Sequence, residues 1–381
     1  GHYSSNYQMF ADYIDNKYGD WRLTETGRYS QANDDLKEFD GDPNIASYRQ
    51  LSKALKGLES FDIANLDKKG GIIAEDIGDD ARLRTMFGVF GTQTGRNAPR
   101  ARKFILAMGA WARALVVPPA GHVLIGCDYS SQEVAIAAVL SGDDRMMDAY
   151  LSGDPYMWFA KAAGAVPPDG TRAEYSKERD RFKSTLLGTQ FSMGSTKLAR
   201  KLTVDTGIPH TERDAKKLLD LHRRIFRVYW RWVQRIERAY RRDGYLMLSD
   251  GTATGPDCNR MTSLKNLPVQ GTGGIILRRA TVRAVEDGLE VGSPLHDALY
   301  IVAPKAEEAD HTARLIKCMQ EAVRETIGDF EIRVDTKVTD QEHLWIEDRA
   351  AKIYESIKPY LGKLPTEADR RQSLIDWVSS E

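Results

Sequence analysis

The pattern of apolar and polar positions predicts a few short strands separated by long helical stretches. Unbroken apolar runs next to turn-forming sequences predict buried strands at Val123–Cys127 and Ala298–Ala303. Helical spacing of apolar residues predicts an amphipathic helix over Ile45–Leu58, several helices over residues 131–242, and another from about Gly273 to Gly288. This order predicts an α+β fold, in which a small sheet carries helical side lobes.

The composition is that of a globular protein with more than one lobe. A chain of 381 residues with an apolar fraction of 41% can bury a sizeable core. No apolar run approaches ~20 residues, so we expect no transmembrane helix. The cysteines, Cys127, Cys258 and Cys318, follow no zinc-binding spacing. They indicate reduced thiols in a cytoplasmic protein.

The near-neutral net charge of −1 conceals a basic lobe. Residues 171–245 contain 19 Lys and Arg against 9 Asp and Glu, and residues 181–204 contain no acid. Cations that displace counterions from phosphates favour a polyanionic partner. A solvated basic helical face accounts equally well for the charge alone.

Two carboxylates lie at strand ends. Asp128 follows the first predicted strand, and Asp297 precedes the second. Carboxylates at such positions lose hydration, and two brought together repel each other unless a metal ion lies between them. Hard oxygen ligands and a phosphate substrate favour Mg²⁺, and two such ions ~3.5–4 Å apart can drive phosphoryl transfer.

Both stretches also have a purely structural interpretation. Ser130 and Glu133 have the spacing of a helix capping box, which is ordinary chemistry for a strand-to-helix turn. His296 and Asp297 suit a tight turn.

The basic segment Lys177–Leu202 is predicted to form one helix. Residues spaced by four place two cations and two apolar side chains along one face, namely Arg179, Lys183, Leu187 and Phe191. The cations suit a triphosphate, and the apolar end suits a base and sugar. The structural alternative is a basic amphipathic surface helix.

Together these stretches resemble the motifs of family A (DNA polymerase I-like) DNA polymerases. Asp128-Tyr-Ser-Ser-Gln-Glu133 is similar to motif A, the Arg179-to-Phe191 spacing to motif B, and His296-Asp297-Ala298 to motif C. Further segments that fit the family are Thr26-Gly-Arg-Tyr-Ser30, Tyr48-Arg-Gln-Leu-Ser-Lys53, Thr94-Gly-Arg96 and Asn266-Leu-Pro-Val-Gln270-Gly-Thr272.

The resemblance implies a right-hand polymerase, with a palm built on a small antiparallel sheet and with helical fingers and thumb. The implied boundaries are residues 1–90 for the thumb, 91–143 and 263–381 for the two parts of the palm, and 144–262 for the fingers. It also implies two Mg²⁺ ions, for which Mn²⁺ can substitute. The implied partners are primer–template DNA and deoxynucleoside triphosphates, with no membrane. Replication partners and upstream domains belong to the same expectation, although the sequence does not show them.

The site residues follow from the same resemblance. Asp128 and Asp297 would be catalytic metal ligands, with the backbone carbonyl of Tyr129 as a further ligand. Glu133 would be a steric gate that excludes the 2′-hydroxyl of ribonucleotides. The other implied contacts are Arg179, Lys183, Leu187, Phe191 and Tyr156 for the nucleotide, and Arg96, Asn266, Gln270 and His296 for DNA.

Several positions depart from the family pattern. Leu187 and Phe191 stand where the family usually has Phe or Tyr and then Tyr. Ala298 replaces the Glu of motif C, and Tyr156 falls where the family has a His. None of these changes removes an implied metal ligand. Such departures are typical of a viral or phage-like branch.

We therefore expect a template-directed 5′–3′ DNA polymerase of a bacterial or phage-infected cell, with no proofreading exonuclease within this chain. A single-subunit RNA polymerase relative is a second possibility, against which Glu133 and Phe191 argue. A DNA-binding remnant without activity is a third. The intact Asp128, Asp297, Arg179 and Lys183 argue against it.

Overall fold

A computed structural model describes most of the chain. The described residues are 7–59, 78–80, 82–99, 104–107, 109–254 and 261–358. Cys258, one of the predicted reduced thiols, lies outside them, whereas Cys127 and Cys318 are buried free thiols. Within these ranges, no helix combines the length and the apolarity needed to cross a bilayer.

The N-terminal part is a small helical unit built on an aromatic cluster. Its helices are α1 (Tyr7–Lys17), α2 (Asn33–Lys37) and α3 (Pro43–Glu59). The indole of Trp21 is buried among Phe10 and Phe39, and its N–H donates to the Ser30 carbonyl at 2.9 Å. The amphipathic helix predicted over Ile45–Leu58 is therefore confirmed as α3.

A short hairpin, β1 (Phe87–Gly88) with β2 (Ala98–Pro99), precedes the central strand β3 (His122–Tyr129). Seven helices then follow in succession within residues 130–244. They are α4 (Gln132–Ser141), α5 (Asp144–Leu151), α6 (Pro155–Ala162), α7 (Ser176–Gln190), α8 (Ser195–Thr206), α9 (Glu212–Ile225) and α10 (Arg227–Asp243).

The second half returns to the sheet. After a hairpin of β4 (Leu246–Met247) and β5 (Ala253–Thr254), a long helix leads into the remaining strands. These elements are α11 (Met261–Glu286), β6 (Glu290–Leu295), β7 (Ala298–Pro304), α12 (Glu308–Ile327), β8 (Val334–Thr339) and α13 (Ala351–Ile357).

The four long strands form one antiparallel sheet in the order β6-β7-β3-β8. Alternate residues of β3 point to opposite faces, as strand geometry requires. Val123, Ile125 and Cys127 enter the main core, which includes residues of α11 and α12. The opposite face carries Gly126 and Asp128. The predicted small antiparallel sheet and α+β class are confirmed.

Two predicted helix boundaries were wrong. The segment Lys177–Leu202 forms two helices, α7 and α8, because the chain breaks at Ser192, whose φ is 56°. The helix predicted from Gly273 begins at Met261 and includes Pro268 in its interior. Proline usually marks a helix start, so its position within α11 misled the sequence interpretation.

Gly126 is required by its neighbour Tyr300 on the adjacent strand. A Cβ atom at position 126 would lie 2.7 Å from Cδ1 of Tyr300. That ring packs against Trp345, with centroids 4.7 Å apart, which limits its movement. A side chain at position 126 would therefore force Tyr300, and with it Trp345, to shift.

We predict that Gly126→Ala lowers the free energy of unfolding by ~1–3 kcal/mol, the usual cost of overpacking. Gly292→Ala on the edge strand of the same sheet is the control, because its Cβ would meet only the Tyr300 carbonyl at an ordinary 3.5 Å. Urea unfolding of both variants measures the difference. Equal stability of the two variants would contradict the steric argument.

Candidate active site

A cavity of about 910 Å³ opens where β3 ends, between the sheet and helices α6 and α7. Asp128, Asp297 and Asp335 lie on its sheet side, and Arg179 and Lys183 lie on its helical side. Its lining includes Asp128, Tyr129, Glu133, Asp154, Tyr156, Lys161, Arg172, Arg179, Lys183, Leu187, Asp297, Arg333 and Asp335. It therefore brings together most of the residues that the motifs singled out.

The two predicted catalytic carboxylates lie side by side. Asp128 is the penultimate residue of β3, and Asp297 lies in the two-residue turn that joins β6 to β7. The backbone N–H of Tyr129 donates to the carbonyl of Asp297 at 3.3 Å, which ties the turn to the strand. His296, at the same turn, has a φ of 56°. The turn-pair interpretation of His296 and Asp297 is thus correct as geometry and compatible with a site.

The proximity of these carboxylates changes their acidity. Loss of hydration, followed by the charge of Asp297 and a hydrogen bond with it, raises the pKa of Asp128 to about 7. The side chain of Asp128 is open to the solvent of the cavity, yet the surrounding protein still removes part of its hydration. Within the described ranges, no Lys or Arg forms an ion pair with either carboxylate. In the described part of the chain, the pair therefore has no counter-cation of its own.

Glu133 does not form the capping box that its spacing with Ser130 suggested. The Ser130 hydroxyl donates instead to Asp335, and α4 begins after Ser131, which has a φ of 53°. The Glu133 carboxylate accepts from Arg96 at 2.7 Å and also contacts Gln270. Burial raises the pKa of Glu133 in spite of the ion pair. Its position is therefore set by tertiary partners.

The two cations of α7 have different surroundings. The Nε of Arg179 donates to Asp154 at 2.5 Å, and Asp154 also caps the N-terminus of α6. Lys183 has no carboxylate partner among the described residues. Both cations lie over the ring of Tyr156, at 5.2 Å for Arg179 and 5.6 Å for Lys183. Lys183 is thus the more available of the two for an anionic ligand.

Several predicted site residues lie outside the cavity lining. Phe191 caps the C-terminus of α7 and does not line the cavity, because the helix ends there. Arg96 and Gln270 do not line the cavity either, but both contact Glu133, which does. His296 is exposed at the hairpin turn, and Asn266 is half-buried on α11.

Sequence reasoning missed some residues that line the cavity. They are Asp154, Lys161, Arg172, Arg333 and Asp335. Two of them had a readable signal. Asp154-Pro155 has the pattern of a helix start, and Asp335 is an acid at a polar position of an alternating strand pattern. Neither signal shows which distant residue the side chain faces.

Comparison with known proteins gives consistent similarities. The family model described as DNA polymerase family A matches residues 5–342. The thermostable DNA polymerase I of Thermus aquaticus is 28% identical over 315 residues, covering 76% of this chain and 35% of that protein. The DNA polymerase of Mycobacterium phage D29 is 27% identical over 223 residues, covering 57% and 34%. This chain thus spans about a third of the length of these curated relatives.

The fold has a counterpart among solved structures. The polymerase domain of Pol1 from M. smegmatis, in complex with DNA primer-template and dNTP, superimposes with a TM-score of 0.71 at 19% sequence identity. The match covers 90% of this chain and 61% of that one. The fold is therefore that of a polymerase domain. Because the family model also extends over most of the sequence, this chain belongs to DNA polymerase family A.

Proposed function

We propose that this chain is a template-directed DNA polymerase that extends a primer in the 5′–3′ direction with deoxynucleoside triphosphates. One observation carries the proposal. Asp128 and Asp297 adjoin each other on one side of a cavity whose other side presents Arg179 and Lys183. This is the charge arrangement that phosphoryl transfer asks of a protein, because anionic phosphates must be neutralised and positioned. Family membership supports it.

The carboxylate side fits a divalent metal site. Asp128 and Asp297 offer hard oxygen ligands, which Mg²⁺ and Mn²⁺ prefer. Neither has a cationic partner within the described residues, and loss of hydration together with the charge of Asp297 raises the pKa of Asp128. Asp128, Asp297 and the carbonyl of Tyr129 would hold two ions. Bound there, the metals would activate the primer 3′-hydroxyl and stabilise the leaving pyrophosphate.

The helical side would bind the nucleotide. Lys183 and Arg179 would neutralise the triphosphate, and the ring of Tyr156 beneath them would fix their height above the sheet. Leu187, one turn further along α7, would contact the sugar or base. Arg179 would exchange its ion pair with Asp154 for one with a phosphate.

Glu133 would discriminate between sugars. Its carboxylate is held in place by Arg96 at 2.7 Å and by Gln270, which favours a fixed steric obstacle over a mobile one.

Arg96 and Gln270 would also contact the primer–template, together with Asn266 and His296. Phe191 would act from the end of α7. We place this activity in the cytoplasm of a bacterial or phage-infected cell.

Primer extension on a recessed primer–template tests the proposal. Mg²⁺-dependent addition of deoxynucleotides in template order is the expected result. A preference for ribonucleotides would instead favour the RNA polymerase relative. Primer–template binding without extension under any metal condition would favour a DNA-binding remnant.

We predict that Asp128→Asn and Asp297→Asn each reduce extension at least about a thousandfold, or ~4 kcal/mol, because the metal ions supply several kcal/mol of transition-state stabilisation. Primer–template affinity should stay within a few-fold of wild type. Single-turnover extension and a binding titration measure the two quantities. Asp148→Asn, an exposed acid of α5, is the control. Parallel loss of DNA binding would contradict the metal assignment.

We predict that Lys183→Ala weakens the apparent affinity for deoxynucleotide about 10- to 150-fold, since a charge-assisted contact contributes ~1.5–3 kcal/mol. The effect of Arg179→Ala should be smaller on nucleotide affinity and larger on thermal stability, because Asp154 loses its partner. Lys177→Ala removes the same charge from an exposed position of α7 and serves as the control. The nucleotide dependence of single-nucleotide incorporation is the measurement. A Lys183→Ala enzyme that matches Lys177→Ala would contradict the assignment.

We predict that Glu133→Ala raises the ratio of ribonucleotide to deoxynucleotide incorporation more than tenfold, or ~1.4 kcal/mol, because it removes bulk next to the sugar. Glu133→Gln keeps the bulk and loses the charge paired with Arg96, so its ratio should stay near that of wild type. Paired single-turnover measurements with one ribo- and one deoxynucleotide provide the ratio. Equal ratios in the Ala variant and wild type would show that Glu133 is not a steric gate.

A further inference from the structure

Asp335 lies directly across the sheet from Asp128. Strand β8 pairs with β3 in antiparallel register, and Asp335 is the residue opposite Asp128. The side chains of directly opposed residues project from the same face, with Cβ atoms ~4.5–5.5 Å apart. Asp335 therefore presents its carboxylate on the face that carries Asp128, and it lines the same cavity.

The other neighbour of Asp128 supplies no ligand. On the opposite flank, β7 places Ala298 against Asp128, and this methyl side chain is buried and apolar. The row across the sheet thus reads Ala298, Asp128, Asp335. Any oxygen ligand that this row adds to Asp128 can come only from the β8 side.

Asp335 is held in place and has no cationic partner among the described residues. The Ser130 hydroxyl donates to its carboxylate, and the Ser130 N–H donates to the Arg333 carbonyl at 2.8 Å, which fastens the start of β8 to the end of β3. No Lys or Arg in the described part of the chain forms an ion pair with Asp335. Like charges directly opposite each other destabilise a sheet, so a cation bound between these carboxylates would stabilise the arrangement.

We propose that Asp335 is a third carboxylate ligand of the divalent-metal site, acting with Asp128. This proposal rests on the proposed function, which identifies the cavity as a metal site. Its test measures metal binding and does not require catalysis. Strand β8 would thereby take part in metal binding, although it lies outside all of the sequence motifs. Ser130 then serves to aim the Asp335 carboxylate toward Asp128.

The test measures Mn²⁺ binding to the protein without DNA or nucleotide, from the free Mn²⁺ signal in electron paramagnetic resonance. Asp335→Asn keeps an acceptor for Ser130 and removes the charge. We expect its dissociation constant for Mn²⁺ to rise at least about tenfold. Asp335→Glu keeps the carboxylate and should retain most of the affinity. Asp329→Asn, an exposed acid outside the cavity, should bind Mn²⁺ as wild type does.

Thermal melting provides a second readout that does not require activity. Without metal, Asp335→Asn should melt at the wild-type temperature or above it, because a like-charge repulsion with Asp128 is removed. The stabilisation that Mn²⁺ gives to wild type should shrink in this variant. A variant that melts lower without metal and gains as much from Mn²⁺ as wild type would show a structural role only.

The outcomes separate this proposal from the polymerase proposal. Unchanged Mn²⁺ affinity in Asp335→Asn, or no Mn²⁺ binding by wild type, overturns the role of Asp335. Mn²⁺ binding that depends on Asp335, in a protein that extends no primer, supports the metal ligand and overturns the polymerase function. If extension occurs, the Mg²⁺ concentration for half-maximal rate should rise in Asp335→Asn by a similar factor.

Discussion

Mutual repulsion between Asp128 and Asp297 is the constraint that the rest of the structure serves. If both carboxylates were ionised, two unit charges ~4 Å apart would repel by ~4 kcal/mol at an effective dielectric constant of 20, and unattached side chains would move apart. The backbone prevents this. Strand β3 is paired on both sides, Tyr129 N–H bonds the Asp297 carbonyl, and the buried Tyr129 hydroxyl donates to Met319 at 2.8 Å. Folding the core thus enforces a concentration of negative charge at the sheet end.

Backbone strain is concentrated around the same place. Four described non-glycine residues have a positive φ, and two of them flank the carboxylates: Ser131 follows the strand that carries Asp128, and His296 precedes Asp297. Of the other two, Ser192 separates α7 from α8, and Phe90 lies just after β1. Each such residue costs on the order of 1 kcal/mol or more, and it persists only where the surroundings determine the conformation. The positive φ of Ser131 allows α4 to begin directly after β3, and that of His296 allows a two-residue turn to present Asp297. The positive φ of Ser192 ends α7, the helix that carries Arg179 and Lys183.

The sequence predicted local features well and distant pairings only through motifs. Val123–Cys127 and Ala298–Ala303 are apolar runs bounded by turns, so β3 and β7 could be predicted, and the family motifs identified the carboxylates. The end of α7 was missed because Ser192, not a glycine, adopts the positive φ, while the Met193 N–H donates back to the Gly188 carbonyl at 2.9 Å and closes the helix. The Ser130–Glu133 spacing suggested a capping box, but tertiary partners 205 residues away for Ser130 and 37 for Glu133 prevailed. Asp335 could not be assigned to the site because neither strand's sequence shows which of its residues pairs with which residue of the other strand.

The bond between Arg179 and Asp154 has a consequence for turnover. In the free protein Arg179 already has an internal counterion, and that counterion also caps α6. An arriving triphosphate would therefore gain only the difference between two anions competing for one guanidinium. Under the proposed function, binding through Arg179 would be an exchange of one anion for another. Release of the bound anion would be assisted because Asp154 stays close to the guanidinium. The proposed polymerase would have to release pyrophosphate after every nucleotide. A guanidinium that pairs with Asp154 whenever no phosphate is bound would lower the cost of that release.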